Sequence, residues 1–466
     1  MSASDLDGLS RDELVAIILR QARRLEEQDA RIRRLETLLE ESRRAGKRQA
    51  APFSKGPPKA EPQPPGRKAG DAHGPSHFRP PPAAVDEELD APLPRGCPDC
   101  GGVVEEQGVE EQWQTDVVPA RPVRRRFLVH VGRCRSCRHR VQGRHPFQTS
   151  DALGAAASQL GPHALSVASF LRAEMGASFG KVQRFFRRVL GVEVCRGGLA
   201  LALQRVARKA EPTYESLVET IRQSPVAYAD ETGARMGGKP WWQWVFTTPD
   251  TTIYVQRPCR GFAVIEEVLG RHWAGKIGHD GWAPYDELLD ALHQQCLFHP
   301  LARIREMMQS APRGVRGFLK AVQRLFQDAI DLHGRYVEGE VSDHGLAVAR
   351  GRLAGSQGEI LSRGLRYGPS RTFQKHLRRH HNEWLTCLWY PELDPTNWRG
   401  EQAVRPAVIL RKMSGGHRSP LGAWAQDVVG SIHRTSYQRG VDPLDLVGRI
   451  VCASRPIAFA IAPRAP

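Results

Sequence analysis

Three acidic residues in this 466-residue chain have the types and positions that metal-assisted chemistry needs: Asp230, Asp280 and Glu401. Asp230 ends the apolar run Ala227-Tyr228-Ala229, and Asp280 ends Lys276-Ile277-Gly278-His279. Glu401 opens a helical stretch running from Asn397 to Pro406. One aspartate at a strand end is a common turn residue; two in comparable strands together with an acidic helix carry more information. Carboxylates are the donors that Mg²⁺ or Mn²⁺ takes, because these hard ions prefer oxygen and keep several waters. Two such ions about 3.5–4 Å apart activate an attacking oxygen and stabilise a leaving one in phosphoryl transfer. Asp230 is the expected bridge between the ions, with the other two acids each holding one. Glu231 is adjacent to Asp230, but strand alternation sends it to the opposite face.

The elements that must position these acids are legible. Val226 to Asp230, Trp241 to Thr248 and Thr251 to Gln256 read as three strands, the first two joined by a hairpin through Gly237-Gly238. A helix over Phe262 to Leu269 and a buried strand over Lys276 to Asp280 follow. Three antiparallel strands, a helix and a fourth strand returning beside the first is a ribonuclease H-like order. It brings Asp230 and Asp280 next to each other. The expected fold class is therefore multidomain α/β, with a ribonuclease H-like catalytic core over 223–440 and an all-α insertion over about 301–392. Residues 441–466 read as a C-terminal tail.

A second constellation is Cys97-Pro98-Asp99-Cys100 and Cys134-Arg135-Ser136-Cys137. Four thiolates close a tetrahedral structural Zn²⁺ site with no open position, so this zinc ribbon over 95–148 is silent on catalysis. Strand-like pieces, Glu111 to Val118 and Arg126 to Val131, fill the gap between the pairs. Cys296 and His299 have ligand-like spacing too, but a lone pair is a weak zinc signal and packing under the sheet is the simpler reading.

Lys and Arg outnumber Asp and Glu, 67 to 51, for a formal net charge of +16. That balance points to a polyanionic partner, because neutralising phosphates releases counterions. Arg303, Arg405, Arg411 and Lys412, close to the acids in sequence, are candidate DNA-phosphate contacts. Arg124 and Arg126, beside the second cysteine pair, are further candidates. A solvated basic surface is the plain alternative for each. Residues 150–222 read as helix, turn and helix with arginines, a helix-turn-helix-like DNA-binding module.

The N-terminal stretch reads as an association device. Ser10-Arg11-Asp12-Glu13 is a capping box, and Leu14, Ile18, Gln21, Leu25, Gln28, Ile32, Leu35 and Leu39 keep 4,3 spacing. A coiled coil over 1–46 predicts a homodimer or higher oligomer. Residues 47–94 are rich in proline and basic residues and read as an extended tether. The chain opens with polar and acidic residues and contains no run of 18 apolar residues, so neither a signal peptide nor a membrane span is expected. A reducing, cytoplasmic compartment fits the cysteine pattern.

With these residues placed, the chain resembles the IS66-family insertion-sequence transposases. The resemblance runs through the N-terminal zipper, the Pro-rich tether and the paired Cys-x-x-Cys motifs. Its sharper parts are Asp230-Glu231-Thr232 with the Trp-rich strand after it, and His279-Asp280-Gly281-Trp282 with Tyr285, Cys296, His299 and Arg303. The third is Glu401-Gln402-Ala403-Val404-Arg405-Pro406 with Arg411-Lys412, Ser419, Gly422 and Ser431. Glu401-Gln402 departs from the Glu-Arg usual in that family, and the spacing from Asn397 to Glu401 also differs. The resemblance implies a DDE catalytic domain with Asp230, Asp280 and Glu401 as the triad. It further implies DNA partners, the element's terminal inverted repeats and a target, with accessory proteins of the same element. The setting would be bacterial and nucleoid-associated. A nuclease or resolvase without strand transfer, and a catalytically silent DNA-binding regulator, are the alternative readings.

Overall fold

The computed structural model describes Ser10, Arg11, Gln28 and residues 82–462 apart from 116, 119 and 154–158. The heptad seam, apart from Gln28, and most of the tether lie outside the described residues. The chain divides into two units, Met1–Val118 and Pro119–Pro466.

In the first unit, residues 82–115 carry no helix or strand. The strand expected over Glu111 to Val118 is not present in its described residues. Its apolar side chains bury no face: Trp113, Val117 and Val118 are all exposed. Residues 97–102 form a tight knuckle, in which the Cys97 N–H donates to Gly102 O and the Gly101 N–H to Cys97 O.

The second unit begins with a hairpin, β1 (Val131–Arg133) and β2 (Arg140–Gln142), wrapped around Cys134–Cys137. Regular pairing starts only at Val131, because β2 is the partner available to it. The strand expected over Arg126 to Val131 is thus displaced to Val131–Arg133. Three helices follow: α1 (Pro162–Ala173), α2 (Phe179–Arg188) and α3 (Arg196–Gln223). Ser178 caps α2, its hydroxyl accepting from the Lys181 N–H. The last helix of the expected helix-turn-helix-like module is the long element α3, which carries Pro212 inside it. One face of α3, from Leu199 to Ile221, is buried along most of its length, and that continuous stripe holds it together.

Five strands then form one sheet: β3 (Val226–Met236), β4 (Lys239–Thr247), β5 (Thr252–Arg257), β6 (Lys276–His279) and β7 (Leu292–Gln295). Their order is β5-β4-β3-β6-β7. The first three pair antiparallel, and β3–β6 and β6–β7 pair parallel. Gly237 and Gly238, at φ 53° and 85°, make the tight β3–β4 turn expected there. Helix α4 (Phe262–Leu269) crosses between β5 and β6.

The sheet is covered on both faces, and the alternation along β3 is decisive. Ala227 and Ala229 join the main core with Trp244, Phe246, Ile253, Ile277 and α3. Val226 and Tyr228 point the other way, against Leu393. On that second face Val245 and Tyr254 pack against Ala403 and Val404 of α9 (Trp398–Ser414).

Between β7 and α9 lies a helical block: α5 (Phe298–Ser310), α6 (Arg313–Val337), α7 (Asp343–Ser362), α8 (Gly368–Arg379) and two short 3₁₀ turns. It has its own core, including Leu319, Phe326, Phe373 and Trp384. The Gln294 side chain ties it to the sheet edge, donating to Trp384 O and accepting from the Cys387 N–H. Helix α10 (Pro420–Gln438) follows α9. Residues 441–466, read as a tail, instead contain α11 (Pro443–Cys452), whose Leu446, Val447, Ile450 and Val451 join the main core. Asp442 caps this helix and Pro443 starts it, so a start signal was present in the sequence.

Candidate active site

Asp230 and Asp280 are brought together by sheet register. The parallel pairing of β3 and β6 ends at Tyr228 and Gly278. Each aspartate lies two residues beyond its member of that pair, so both belong to the same face. This is the face of Tyr228, whose ring would lie 2.6 Å from a Cβ at Gly278. It is also the face of Val245, the partner of Asp230 in β4, which packs on α9. Asp280 therefore sits just past the carboxyl end of β6, and Asp230 sits where β3 outruns its parallel partner, because β3 does not stop at Asp230 as expected but runs on to Met236 in its hairpin with β4. A crevice opens where the parallel ladder ends. Gly281 lets the chain turn away there: its φ is 86°, and a Cβ would lie 2.2 Å from Gln295 Oε1. The Asp280 carboxylate accepts the Trp282 N–H at 2.9 Å, and Asp230 accepts the Glu231 N–H at 2.8 Å.

Glu401 comes from the first turn of α9. That helix start is anchored by Asn397, which is 1% exposed. Its side-chain amide donates to Ala229 O at 2.8 Å, and its own N–H donates to Cys296 Sγ at 3.2 Å. Gly400 is required beside it, since a Cβ there would lie 2.7 Å from the Asn397 side chain. On the other side of the helix the Tyr254 hydroxyl donates to Ala403 O at 2.7 Å. Asn397 thus links α9 to the residue immediately before Asp230. Its position in the chain was visible in the sequence; its partners were not.

The electrostatics match a crowded set of acids. Burial pushes the Asp230 carboxyl up to about 8, and the Glu231, Asp280 and Glu401 carboxylates push in the same direction. Glu231 is raised as well, by burial and by Asp280, with Arg260 opposing. Its carboxylate is already engaged on the far face: Arg260 donates to it through Nε and Nη2, and the Tyr285 hydroxyl donates at 3.0 Å. Arg260 is itself held between aromatic rings, 4.6 Å from Trp242 and 3.8 Å from Trp282. No pattern in the sequence pointed to Arg260.

Cys296, His299 and Glu401 also converge, with their ligand atoms within 4.8 Å of one another. Burial pushes the Cys296 thiol up to about 11, so at neutral pH it is a thiol accepting the Asn397 N–H. The pair set aside as weak in the sequence therefore borders the start of α9.

The basic candidates scatter. Arg405 is one turn after Glu401 and exposed, and Arg303 is exposed on α5 with its guanidinium 5.2 Å from the Phe373 ring. Arg411 turns inward instead, with Nη1 donating to Thr232 Oγ1 at 3.4 Å and burial lowering its pKa. Lys412 is half-buried on the same helix, while Arg124 and Arg126 lie exposed outside regular structure.

The two cysteine pairs share one local geometry, each within its own segment. In the second, the Cys134 N–H donates to His139 O and the Arg138 N–H to Cys134 O, as in the first. Gly101 and Arg138, each following a second cysteine, both have positive φ, 75° and 60°. Hydrogen bonds from within each pair lower the pKa of Cys97 and Cys134, which favours the thiolate.

A mixed sheet closed by helices on both faces, with acids gathered at one crevice, describes an α/β core compatible with a transposase. The chain matches the family described as "Transposase IS66 family" over residues 157–425, more than half its length, and it belongs to that family. No curated protein matches it. The matched segment contains Asp230, Asp280 and Glu401, and membership supports a transposase role. Among the described residues no helix is long and apolar enough to cross a membrane.

Proposed function

We propose that the chain is a DDE transposase with a ribonuclease H-like catalytic core. It would bind the terminal inverted repeats of its element, cut a strand there and join the freed 3′ end to target DNA. The strand order β5-β4-β3-β6-β7 supports the core assignment. The observation that carries the reading is the shared register of Asp230 and Asp280, with Glu401 close enough to raise the Asp230 pKa.

The residues fit a divalent-cation site. Carboxylates gathered in one half-buried crevice, close enough together to push the Asp230 pKa up, are a donor set for Mg²⁺ or Mn²⁺. Asp230, Asp280 and Glu401 would hold the ions. When bound, a pair of such ions supplies Lewis-acid activation of the attacking oxygen and stabilisation of the leaving oxygen. The chain itself positions the acids: the β3–β6 register fixes the two aspartates, and Asn397 fixes the helix that carries Glu401. Arg260 and Tyr285 keep Glu231 on the far face. Exposed Arg405, on the same helix face as Glu401, is available to a DNA phosphate, as is Arg303. Arg124, Arg126, Arg411 and Lys412 remain candidates for further phosphate contacts.

Outside the catalytic core, we assign Cys97, Cys100, Cys134 and Cys137 a structural Zn²⁺, supported by the knuckle geometry of each pair and the depressed thiol pKa of Cys97 and of Cys134. The N-terminal heptads would set a homodimer or larger assembly, and other products of the element would assist it.

Strand joining tests this reading. A pre-cut oligonucleotide ending in the element's own 3′ terminus is incubated with a plasmid, Mg²⁺ and the protein. Covalent insertion of the oligonucleotide is expected. Cutting of intact ends without any joining would instead mean a nuclease or resolvase.

A further inference from the structure

The turn from α9 to α10 is fastened to the end of β3. His417 bridges Met236, the Gly237 N–H donates to His417 O, and a Cβ at Gly416 would lie 2.9 Å from Arg235 O. Between this turn and helices α1–α3 lies a cavity of about 780 Å³. Arg172, Arg184, Arg196 and Arg418 line it, and among the described residues no carboxylate does.

Three helix starts border the same space: Phe179 and Gly180 of α2, Arg196 and Gly197 of α3, and Ser419 and Gly422 of α10. One amide of each start is already capped, Lys181 by Ser178 Oγ, Gly198 by Cys195 Sγ and Gly422 by Ser419 Oγ. The earlier first-turn amides have no acceptor within their helix, and the start carries the positive end of the helix dipole. The starts of α2 and α3 adjoin, since a Cβ at Gly180 would lie 3.6 Å from Arg196 Nε. Three such ends meeting in one cavity favour an anion.

Buried side chains give a second, separate indication. Arg172 is 3% exposed and its Nε has no partner; Gln426, 7% exposed, has none at Oε1. Both line the cavity. Arg172 donates through Nη1 to Ala177 O at 3.1 Å and stacks 4.7 Å from the Phe179 ring. Burial lowers its pKa to about 10, so it remains a cation at neutral pH with no acid lining its side of the cavity. A desolvated cation of that kind is stabilised by an incoming negative charge.

We propose that this cavity grips a backbone phosphodiester of the DNA strand on which the enzyme acts. Exposed Arg184, Arg196 and Arg418 hold it at the mouth, and Arg172 with the helix starts holds it within. The site rests on the transposase reading. It extends that reading by placing a strand contact on the turn fastened to β3, the strand that carries Asp230.

The test compares the full chain with Arg184→Ala, Arg418→Ala and the double variant, with Arg449→Ala on α11 as a control for charge removed elsewhere. Binding of a labelled terminal-repeat duplex is measured over a range of salt concentrations. The double variant is expected to bind about ten-fold more weakly than the control, with a salt slope smaller by about 0.9 per lost phosphate contact. If the native chain binds the duplex and the double variant matches the control in affinity and slope, the site is wrong and the transposase reading stands. If the native chain binds no DNA, both fall. A parallel arm follows thermal stability with inorganic phosphate alone. Stabilisation of the native chain but not of the double variant, with DNA binding unchanged, would make this a free-phosphate site and overturn the DNA assignment.

Discussion

Asp230 and Asp280 stand level on adjacent parallel strands, each two residues past the Tyr228–Gly278 pair that ends the β3–β6 ladder. Period-two alternation then gives both carboxylates the face covered by α9, the helix of Glu401. Without a cation the arrangement opposes folding. The folded Asp230 pKa, about 8, lies above its ordinary value of 3.8. A carboxyl raised on folding contributes stability that is fully present below the unfolded pKa and is lost as pH rises through the folded one. Asp230→Asn cannot ionise. In metal-free buffer its melting temperature should equal that of the native chain near pH 4 and exceed it increasingly toward pH 8. Parallel melting curves across that range would contradict the placement of Asp230 among the acids.

Removing Arg260 should expose the cost of Glu231. The Glu231 side chain is fully buried, and Arg260 is its cationic partner. Arg260→Ala leaves that carboxylate uncompensated, a change of about 3–5 kcal/mol for a buried pair that loses one member. Urea unfolding measures it. Adding Glu231→Gln should return much of the loss, because the amide needs no counter-charge. Equal destabilisation of the single and double variants would mean that Arg260 acts through its tryptophan stacking alone.

Asn397 should matter to activity more than its modest chemistry suggests. Asn397→Ala removes the bond to Ala229 O and costs about 1–3 kcal/mol for a buried group left unsatisfied. Strand cleavage should fall well beyond that loss of folded protein, with binding of the terminal-repeat duplex retained, since α9 would no longer be held against the residue preceding Asp230. Cleavage falling only in proportion to folded protein would reduce Asn397 to a packing residue.

Zinc content is checked by metal analysis of the purified chain. One zinc per chain is expected from the four knuckle cysteines, and Cys97→Ser or Cys134→Ser should each lower it. Full zinc content in both variants would contradict a shared four-thiolate site.

How far the sequence revealed this arrangement depended on how local each signal was. Four of the five sheet strands announced themselves through short apolar runs and the Gly237-Gly238 turn, with Asp230 and Asp280 at the edges of those runs and Glu401 at a helix start. The short β7, Leu292-His293-Gln294-Gln295, has no apolar run and was missed. The opposite orientations of Asp230 and Glu231 followed from strand alternation alone. Arg260 and Asn397 were hidden because their roles exist only through distant partners, Glu231 and the two tryptophans for one, Ala229 and Cys296 for the other. The strand expected over Glu111 to Val118 had the composition of a strand, but no strand forms among its described residues and Trp113, Val117 and Val118 stay exposed. Helix α11 was legible in principle, since Asp442-Pro443 and the apolar spacing after it are helix signals, but its closeness to the chain end invited the reading of a tail.

The most direct measurement is nicking of a labelled duplex carrying the element's terminal repeat, with Mg²⁺ or EDTA. The native chain is compared with Asp230→Asn, Asp280→Asn and Glu401→Gln, after each is shown to bind the duplex. Mg²⁺-dependent nicking by the native chain, and its loss in all three variants, is the expected result. Nicking that persists in any one of them would remove that residue from the triad, and nicking that persists in all three would contradict the assignment of the active site.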